Sequence, residues 1–414
     1  MSIDRRDFMK FSALASLALA ADPKELLGQD AGQIPNLAQQ AKPISREEYV
    51  ERQERARRFM HDAGISALML IGGTSLNYFT GTQWGTSERL FAAIIPAKGE
   101  MAFVTPAFEK DRALEQIKFA SDVRTWQEDE SPYKLVAQIL KDRGISAGHL
   151  GIEETIDFRF SNGVAQAAPA LELVSADPVT ARCRRIKTAH ELDLIRLANR
   201  ITLRAYEIAL KSLREGMTHV ELGQKIAAAH RELGAPGYAL VLFGAGSALP
   251  HGTVMPQKLK EGDIVLIDGG CSLLGYQSDI TRTTVFGKPS EKQLKVWEIV
   301  KRAQAAALKT ARPGVACEEV DRAARKVIEE AGYGPGYKYF THRVGHGIGM
   351  DGHEWTYLVG GNKTKLEVGM TFSDEPGIYI PGEFGVRHED IMSINEGGAE
   401  LFTGQAASID NPCN

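Results

Sequence analysis

The chain has 414 residues, with 49 lysines and arginines against 53 aspartates and glutamates, which gives a formal net charge of −4. This length exceeds that of a usual single-core domain and predicts two domains. The chain has no block of basic residues after the N-terminus, so the sequence gives no indication that nucleic acid is a partner. The four cysteines lie far apart and form no CxxC pair, so we expect neither a disulfide framework nor a cysteine zinc site.

The N-terminus has the features of an export signal. Arg5 and Arg6 precede a modestly apolar run over residues 11–20, which ends in a small-x-small cleavage pattern. The arginine pair before Phe8 resembles a twin-arginine signal, although Asp4 stands where that signal usually has serine or threonine. The run is shorter than the about 20 apolar residues that span a bilayer, so we expect no stable membrane insertion.

This interpretation divides the first part of the chain into a signal and a linker. We expect residues 1–20 to be removed as the signal peptide, and the polar residues 21–43 to form the linker. The mature protein would then begin near Ala21 and act in the periplasm. The alternative is a solvated basic N-terminus that precedes an ordinary short helix.

From residue 44 onwards, helical and strand-like segments alternate, which predicts an α/β domain over residues 44–178. Helical spacing predicts helices over residues 46–62 and 132–143. Short apolar segments predict strands, at residues 67–71, 91–96, 101–106 and 149–152. This domain has no cluster of catalytic residue types in its sequence, and we expect Trp84 to be a packed loop aromatic rather than part of a substrate site.

The rest of the chain, residues 185–410, predicts a second and larger domain. It contains two pairs of amphipathic helices, predicted over residues 189–213, 219–233, 291–311 and 318–331. Each pair is followed by glycine-punctuated segments that have the character of strands. We therefore expect an α+β fold in this part of the chain.

The strand-like segments carry a set of metal-ligand residue types, namely Asp268, Asp279, His346, Glu375 and Glu389. Four carboxylates are an excess of negative charge for a protein interior, because an isolated buried carboxylate costs several kcal/mol. Oxygen-rich ligation with one nitrogen suits hard or borderline divalent metals, and two such ions balance four negative charges. The residues therefore predict a two-metal hydrolase.

The local sequence also predicts how these residues are presented. Asp268 and Asp279 flank Gly269–Gly270 and Gly275–Tyr276, which we interpret as turn material between two adjacent strands. The other interpretation is that Asp268 only ends a strand and that Asp279 only caps a turn. Four glycines between residues 345 and 352 argue against the helix that an HExxH zinc motif requires.

These motifs, taken in order, are similar to those of the pita-bread metallopeptidases, which include methionine aminopeptidase, aminopeptidase P and prolidase. The segments 342–353 and 384–390 resemble the aminopeptidase P and prolidase branch, and the resemblance covers residues 185–403. Asn77–Gly81 resembles a stretch of the N-terminal domain that this branch shares with creatinase. The resemblance implies a C-terminal pita-bread domain preceded by a smaller creatinase-type α/β domain.

The resemblance also implies a role for each ligand. Asp268 is expected to chelate one ion, and His346 and Glu375 the other, while Asp279 and Glu389 bridge the two. Two divalent ions are expected, with Mn²⁺ as the first choice and Zn²⁺, Co²⁺ or Fe²⁺ as alternatives. Two ions at such a site lower the pKa of a water molecule and polarise a carbonyl group.

Five residues are expected to take part in catalysis. Glu375 is the candidate for accepting the proton of the attacking water, and Arg387 for orienting the carboxylates. His251 matches the family histidine that binds the substrate near the scissile bond. A prolyl nitrogen carries no hydrogen and leaves as a secondary amine that needs a proton, which His353 or His342 can supply.

The sequence thus predicts an exported, dinuclear metallopeptidase that hydrolyses the Xaa-Pro bond at the N-terminus of peptides or in dipeptides. Its partners would be proline-containing peptides and a second copy of the chain in a homodimer. One alternative is a relative that uses the same fold for another small-molecule hydrolase or lyase reaction. The other is a non-catalytic peptide-binding module, against which the intact ligand set argues.

Overall fold

The structure is a computed structural model that describes residues 34–413. The predicted signal peptide and the first part of the predicted linker lie outside the described residues. The described chain forms two compact units, one of residues 43–185 and one of residues 34–42 together with 186–413. Between residues 34 and 413, no helix combines the length and the apolar composition that crossing a bilayer requires.

The unit of residues 43–185 is built on one six-stranded sheet in the order β4-β3-β2-β1-β5-β6. Its strands are β1 (Ile65–Ile71), β2 (Ala92–Pro96), β3 (Ala102–Pro106), β4 (Asp122–Trp126), β5 (Gly148–Ile152) and β6 (Leu171–Ser175). The strand β2 pairs antiparallel with β1 and β3, and the other three pairings are parallel. The four predicted strands are confirmed, whereas β4 and β6 carry no strong apolar run and were not predicted.

Helices accompany this sheet. They are α1 (Arg46–Ala63), α2 (Thr74–Thr80), α3 (Lys110–Gln116), α4 (Pro132–Asp142), α5 (Phe158–Ala167) and α6 (Thr180–Arg185). The sequence explains the bounds of α1, because Ser45 and Glu48 form a capping box at its start and Gly64 adopts φ 67° at its end. Trp84 is a packed aromatic as expected, since it is 7% exposed and stacks on Phe91 at 4.0 Å between ring centroids.

The larger unit contains two helix pairs, each followed by strands. Its helices are α7 (Ala189–Leu210), α8 (His219–Leu233), α9 (Glu291–Thr310) and α10 (Cys317–Glu330). All four were predicted to within a few residues. Three of them begin with a capping box, in which a threonine or serine exchanges hydrogen bonds with the Glu or Gln three residues later.

The strands of this unit form two main antiparallel sheets and a hairpin. The first has the order β10-β8-β7, from β7 (Gly237–Phe243), β8 (Ile264–Leu273) and β10 (Ile280–Val285), with the short β9 (Tyr276–Gln277) paired to β8. The second has the order β12-β11-β13-β16-β17, from β11 (Gly345–Gly347), β12 (Glu354–Leu358), β13 (Thr371–Asp374), β16 (Asp390–Asn395) and β17 (Gly398–Leu401). The hairpin joins β14 (Gly377–Ile380) and β15 (Phe384–Arg387).

Two expectations about chain path need correction. Gly269–Gly270 is not turn material, because β8 continues through it to Leu273. A side chain at Gly270 would meet the Ser278 carbonyl oxygen at 1.8 Å, so these glycines allow neighbouring backbone to approach closely. The turn lies further on, at Leu274 and Gly275, both of which have positive φ.

The C-terminal end of the predicted linker over residues 21–43 packs against the larger unit instead of forming a free connection. Residues 37–40 form a 3₁₀ turn, and the Lys42 carbonyl oxygen lies 3.0 Å from His190 Nε2 of α7. Apolar side chains of this segment, including Ile34 and Leu37, pack against a buried cluster that contains Leu197 and Leu233. These contacts make residues 34–42 part of the larger unit.

Candidate metal centre

The five predicted ligands come together where the two sheets of the larger unit meet. Asp268 lies within β8, Asp279 directly before β10 and His346 within β11. Glu375 directly follows β13, and Glu389 directly precedes β16. Their ligand atoms form overlapping groups, and within each group all atoms lie within 4.8 Å of one another. The groups are Asp268–Asp279–Glu389, His346–Glu375–Glu389 and Asp279–His346–His353.

Strand register places the first carboxylates. Asp268 on β8 is opposite Thr281 on β10, so their side chains share one face of the sheet. The Thr281 hydroxyl lies 2.8 Å from Asp268 Oδ1 and 2.7 Å from Glu389 Oε2, and can donate its one proton to only one of them. Arg387 donates from Nη2 to Asp268 Oδ2 at 2.6 Å and from Nε to the Thr281 hydroxyl at 3.0 Å.

His346 presents a lone pair to the carboxylates. Its Nδ1 lies 3.0 Å from the Gly347 carbonyl oxygen and donates to it, which leaves Nε2 without a proton. That nitrogen lies 3.3 Å from Glu375 Oε1 and 3.8 Å from Asp279 Oδ2. Burial lowers the pKa of His346 to about 3, so the neutral form that can ligate a metal is maintained.

The carboxylates repel one another in this setting. Burial raises the pKa values of Asp279 and Glu389 well above their ordinary range, and the negative charges of the neighbouring carboxylates raise them further. Burial also raises the pKa of Glu375 to about 7. Burial opposes ionisation of Asp268 as well, but Arg387 and Thr281 hold its pKa below the usual value. One guanidinium therefore does not balance the four acidic groups.

The donor set fits divalent cations. The His346 Nε2 lone pair faces carboxylate oxygens of Glu375 and Asp279, and these contacts are repulsive unless a cation or a proton lies between them. The carboxylate of Asp279 receives no hydrogen bond from any residue between 34 and 413. Four carboxylates with one imidazole match the ligand types preferred by hard and borderline metals. The residues present are therefore suited to hold such ions.

The cluster lines a cavity of about 270 Å³. The other four predicted catalytic residues also line it, namely His251, His342, His353 and Arg387. Tyr238, Leu240 and Arg343 complete much of the wall, and sequence reasoning had assigned none of the three. The structure thus brings every predicted site residue to one cavity, whose small size suits a small substrate.

The histidines differ in what they contact. His342 is engaged at both ring nitrogens, since Nδ1 lies 2.8 Å from the Arg343 carbonyl oxygen and Nε2 lies 2.7 Å from the Tyr379 hydroxyl. His353 is exposed, and its ring stacks on that of His346 with 3.7 Å between centroids. His251 is also exposed and lines the same cavity. Both ring nitrogens of His342 are therefore engaged, whereas no residue between 34 and 413 hydrogen-bonds the ring of His353.

Tyr379 links His342 to the carboxylates. Its hydroxyl accepts a hydrogen bond from Arg387 Nη1 at 2.7 Å, and it can donate to His342 Nε2. The residue is 2% exposed on β14. It gave no signal in the sequence, because a single tyrosine in an apolar hairpin strand is ordinarily a packing residue.

Comparison with known proteins decides the family. The model of metallopeptidase family M24 matches residues 193–396, and that of the creatinase/prolidase N-terminal domain matches residues 52–186. The probable dipeptidase PepE of Mycobacterium tuberculosis is 38% identical over 344 residues, which cover 82% of this chain and 90% of that protein. The chain belongs to metallopeptidase family M24. Its fold is accordingly a creatinase-type N-terminal domain followed by a pita-bread domain.

The similarity to other M24 relatives extends over nearly the whole length of those proteins. The Xaa-Pro dipeptidase of Pyrococcus furiosus is 35% identical over 356 residues, 85% of this chain and 97% of that protein. The crystal structure of a recombinant prolidase from Thermococcus sibiricus has a TM-score of 0.79 and 34% identity, and covers 86% of this chain and 97% of that one. The expected M24 fold and the expected class, a metal-dependent hydrolase, are confirmed.

A buried tyrosine supports the M24 site from behind. The Tyr206 hydroxyl of α7 lies 2.9 Å from the Gly269 carbonyl oxygen and 3.0 Å from that of Ile280. These carbonyls directly follow Asp268 and Asp279 in the chain. Tyr206 is fully buried and ties the two strands together beneath the ligands, a role that no motif in α7 indicates.

Proposed function

We propose that this M24 enzyme hydrolyses Xaa-Pro dipeptides by means of two divalent metal ions. The observation that carries the proposal is the cavity of about 270 Å³, in which the five ligand residues face exposed histidines and the two arginines Arg343 and Arg387. A volume just below the about 300–1,000 Å³ of common ligand pockets suits a substrate of two residues. The names of relatives such as the Xaa-Pro dipeptidase of Pyrococcus furiosus support the same substrate class.

The metal site is proposed to follow the ligand set already described. Asp268, Asp279, His346, Glu375 and Glu389 would hold the two ions. We infer Mn²⁺ as the native metal, because carboxylate-rich ligation suits it, with Zn²⁺, Co²⁺ and Fe²⁺ as the alternatives to test. The ions, when bound, lower the pKa of a water molecule and polarise the scissile carbonyl group.

The protein's own groups would handle the protons. Glu375 is positioned to accept the proton of the attacking water, and its Oε1 is fixed by a hydrogen bond of 3.1 Å from the Ser373 hydroxyl. His353 would donate a proton to the leaving prolyl nitrogen, since no residue between 34 and 413 hydrogen-bonds its ring. His342 is a poorer donor because both of its ring nitrogens are engaged, and we assign it to holding Tyr379 and Arg387 in place.

Arg343 favours dipeptides over longer peptides. Its guanidinium lies over the Tyr357 ring at 4.1 Å and lines the cavity. No carboxylate of the described residues forms an ion pair with it. A dipeptide ends in a carboxylate close to the scissile bond, which a guanidinium can bind through two hydrogen bonds. A longer peptide carries an uncharged amide at that point.

Steady-state kinetics test this function. Protein loaded separately with Mn²⁺, Zn²⁺, Co²⁺ and Fe²⁺ would be assayed against Xaa-Pro dipeptides, their C-terminal amides, Xaa-Pro tripeptides and Xaa-Ala dipeptides. We expect the free Xaa-Pro dipeptides to have the highest kcat/KM, and Arg343→Met to raise KM by at least about 10-fold for the dipeptides but not for their amides. Failure to hydrolyse any Xaa-Pro substrate with any metal would favour another reaction of the same fold.

Export and assembly complete the proposal. The arginine pair Arg5–Arg6 and the apolar run after it support twin-arginine export to the periplasm. Metal ligands spread from Asp268 to Glu389 exist as a site only after folding, which suits a route that carries folded proteins. Replacing both arginines with lysine should leave active, uncleaved protein in the cytoplasm, and normal processing of that variant would reject the route. Sedimentation analysis should find a homodimer.

A further inference from the structure

A buried ion pair lies behind the histidines of the cavity. Lys187 Nζ donates to Glu354 Oε2 at 3.0 Å, and the two side chains are 2% and 5% exposed. The desolvation of both charges costs several kcal/mol, and apolar replacements of such pairs are often as stable as the pair itself. Stability alone therefore does not account for this pair, and its contacts suggest what else it does.

Glu354 also holds a turn of the backbone. Its Oε1 accepts hydrogen bonds from the backbone N–H groups of Met350 at 2.9 Å and Asp351 at 3.1 Å. A side chain at Gly349 would lie 2.7 Å from Glu354 Oε2 and 2.9 Å from Lys187 Cε, so a larger residue there would push the two side chains of the pair out of place. The carboxylate thus fastens the turn that connects β11 to β12.

The same turn is held from its other side by the strand that leads to Asp279. The backbone N–H of Gln277 donates to the Gly349 carbonyl oxygen at 2.8 Å, and Gln277 Nε2 donates to that of Met350 at 3.1 Å. His353 follows this turn and directly precedes Glu354. Its ring is then stacked on His346 at 3.7 Å between centroids.

We propose that the Lys187–Glu354 pair is a positioning device that fixes His353 over the scissile bond. This inference rests on the proposed function, in which His353 donates a proton to the leaving amine. Neither Lys187 nor Glu354 lines the cavity, so both act through His353. A general acid must lie within hydrogen-bond reach of its target atom, and a displacement of about 1 Å can cost about 100-fold in rate.

A double-mutant cycle separates positioning from simple support of the fold. Glu354→Gln keeps an acceptor for the turn but breaks the ion pair, and Lys187→Met removes the cation. We expect each to lower kcat on Xaa-Pro dipeptides about 10- to 100-fold, with KM within about threefold and metal content unchanged. In a His353→Ala background, the same substitutions should lower kcat no further. Lys292→Met, which removes a lysine from an exposed pair, should have no effect.

Additive losses in the His353→Ala background would overturn the proposal, as would loss of metal in Glu354→Gln. Hydrogen exchange supplies a measurement that needs no substrate. In Glu354→Ala, amide exchange of the segment 348–353 should quicken, and unchanged exchange there would also overturn the proposal. If Glu354→Ala does not fold, Glu354→Gln takes its place in the exchange measurement, because its neutral acceptor holds the N–H groups of Met350 and Asp351 less strongly than the carboxylate does. If the wild-type protein is inactive on Xaa-Pro dipeptides but its Glu354 variants still show faster exchange, the proposed function is rejected. The role of Glu354 in fixing the turn is then still supported.

Discussion

The two halves of the pita-bread domain fix the backbone around their cavity residues by different means. In the first half, Asp268 lies in a regular strand whose backbone is tied down by an uncharged group, the Tyr206 hydroxyl at the Gly269 carbonyl oxygen. The Asp268 carboxylate itself contacts Thr281 and Arg387. In the second half, His342 and His353 lie on irregular segments that are held by charged side chains. The Asp321–Arg325 pair is one example, since Arg325 donates to the carbonyl oxygen of His342 at 2.9 Å.

The difference follows from the backbone. A paired strand fixes the direction of its side chains by register alone, so neutral hydrogen bonds are enough to secure it. An irregular segment has no such ladder, and its carbonyl and N–H groups must be satisfied individually. Arg325 does this at three carbonyls, those of Gly336, Phe340 and His342. Glu354 does the same for the N–H groups of the turn before His353.

Removing a ligand of the first half should have the largest effect. In Asp279→Ala, the site loses a carboxylate that belongs to two of the three ligand groups, so metal binding should fall sharply. We expect elemental analysis to find up to two ions per chain in the wild type and fewer in the variant. We also expect kcat/KM to fall by at least about 10³-fold, which corresponds to about 4 kcal/mol. Full activity in exhaustively metal-stripped wild-type protein would contradict the two-metal site.

The second half can be tested at its histidines. His353→Ala should lower kcat by about 10²- to 10⁴-fold while the metal content stays near that of the wild type, because the proposed role is proton donation rather than ligation. His342→Gln should have a smaller effect on kcat, since that ring is already engaged by Tyr379. Loss of metal from His353→Ala would show that this residue is a ligand, as its place beside Asp279 and His346 also allows.

The first half also contains a buried histidine that should make stability depend on pH. Burial lowers the pKa of His230 from 6.5 to about 4, and its Nε2 lies 3.1 Å from the Thr202 hydroxyl. Between these pH values the unfolded chain binds more protons, so the stabilising contribution is complete above pH 6.5 and is lost as the pH falls towards 4. From pH 7 to pH 5, metal-free wild-type protein should lose about 2 kcal/mol more than His230→Gln in urea unfolding. Equal losses would reject this assignment.

The smallest expected effect concerns the uncharged tie of the first half. Tyr206→Phe removes the hydroxyl that contacts the carbonyls after Asp268 and Asp279, but keeps the buried ring. Metal affinity should weaken by about 10- to 100-fold, as is common when a group behind the ligands is lost. Titration against a chelator would measure this, with Lys187→Met as the matched variant that should leave the affinity unchanged.

The sequence allowed the ligand residues to be predicted, but not the residues that hold them in place. The five ligand types and the glycines around them stand in short motifs, so the cluster and its fold could be predicted from their order. Lys187 and Glu354 are 167 positions apart, and neither stands in a pattern that predicts their meeting. The continuation of β8 through Gly269–Gly270 was missed because paired glycines usually mark a turn, whereas here they admit the backbone at Ser278.

The small volume of the cavity also limits the size of the molecules that this enzyme can cleave. A space of about 270 Å³ closed by metal ligands and histidines cannot admit a folded chain, so the enzyme can be present in active form without digesting its neighbours. Its substrates would have to be the last fragments left by other peptidases, which stall at the prolyl bond. Under the proposed function, hydrolysis of an Xaa-Pro dipeptide releases its proline as a free amino acid.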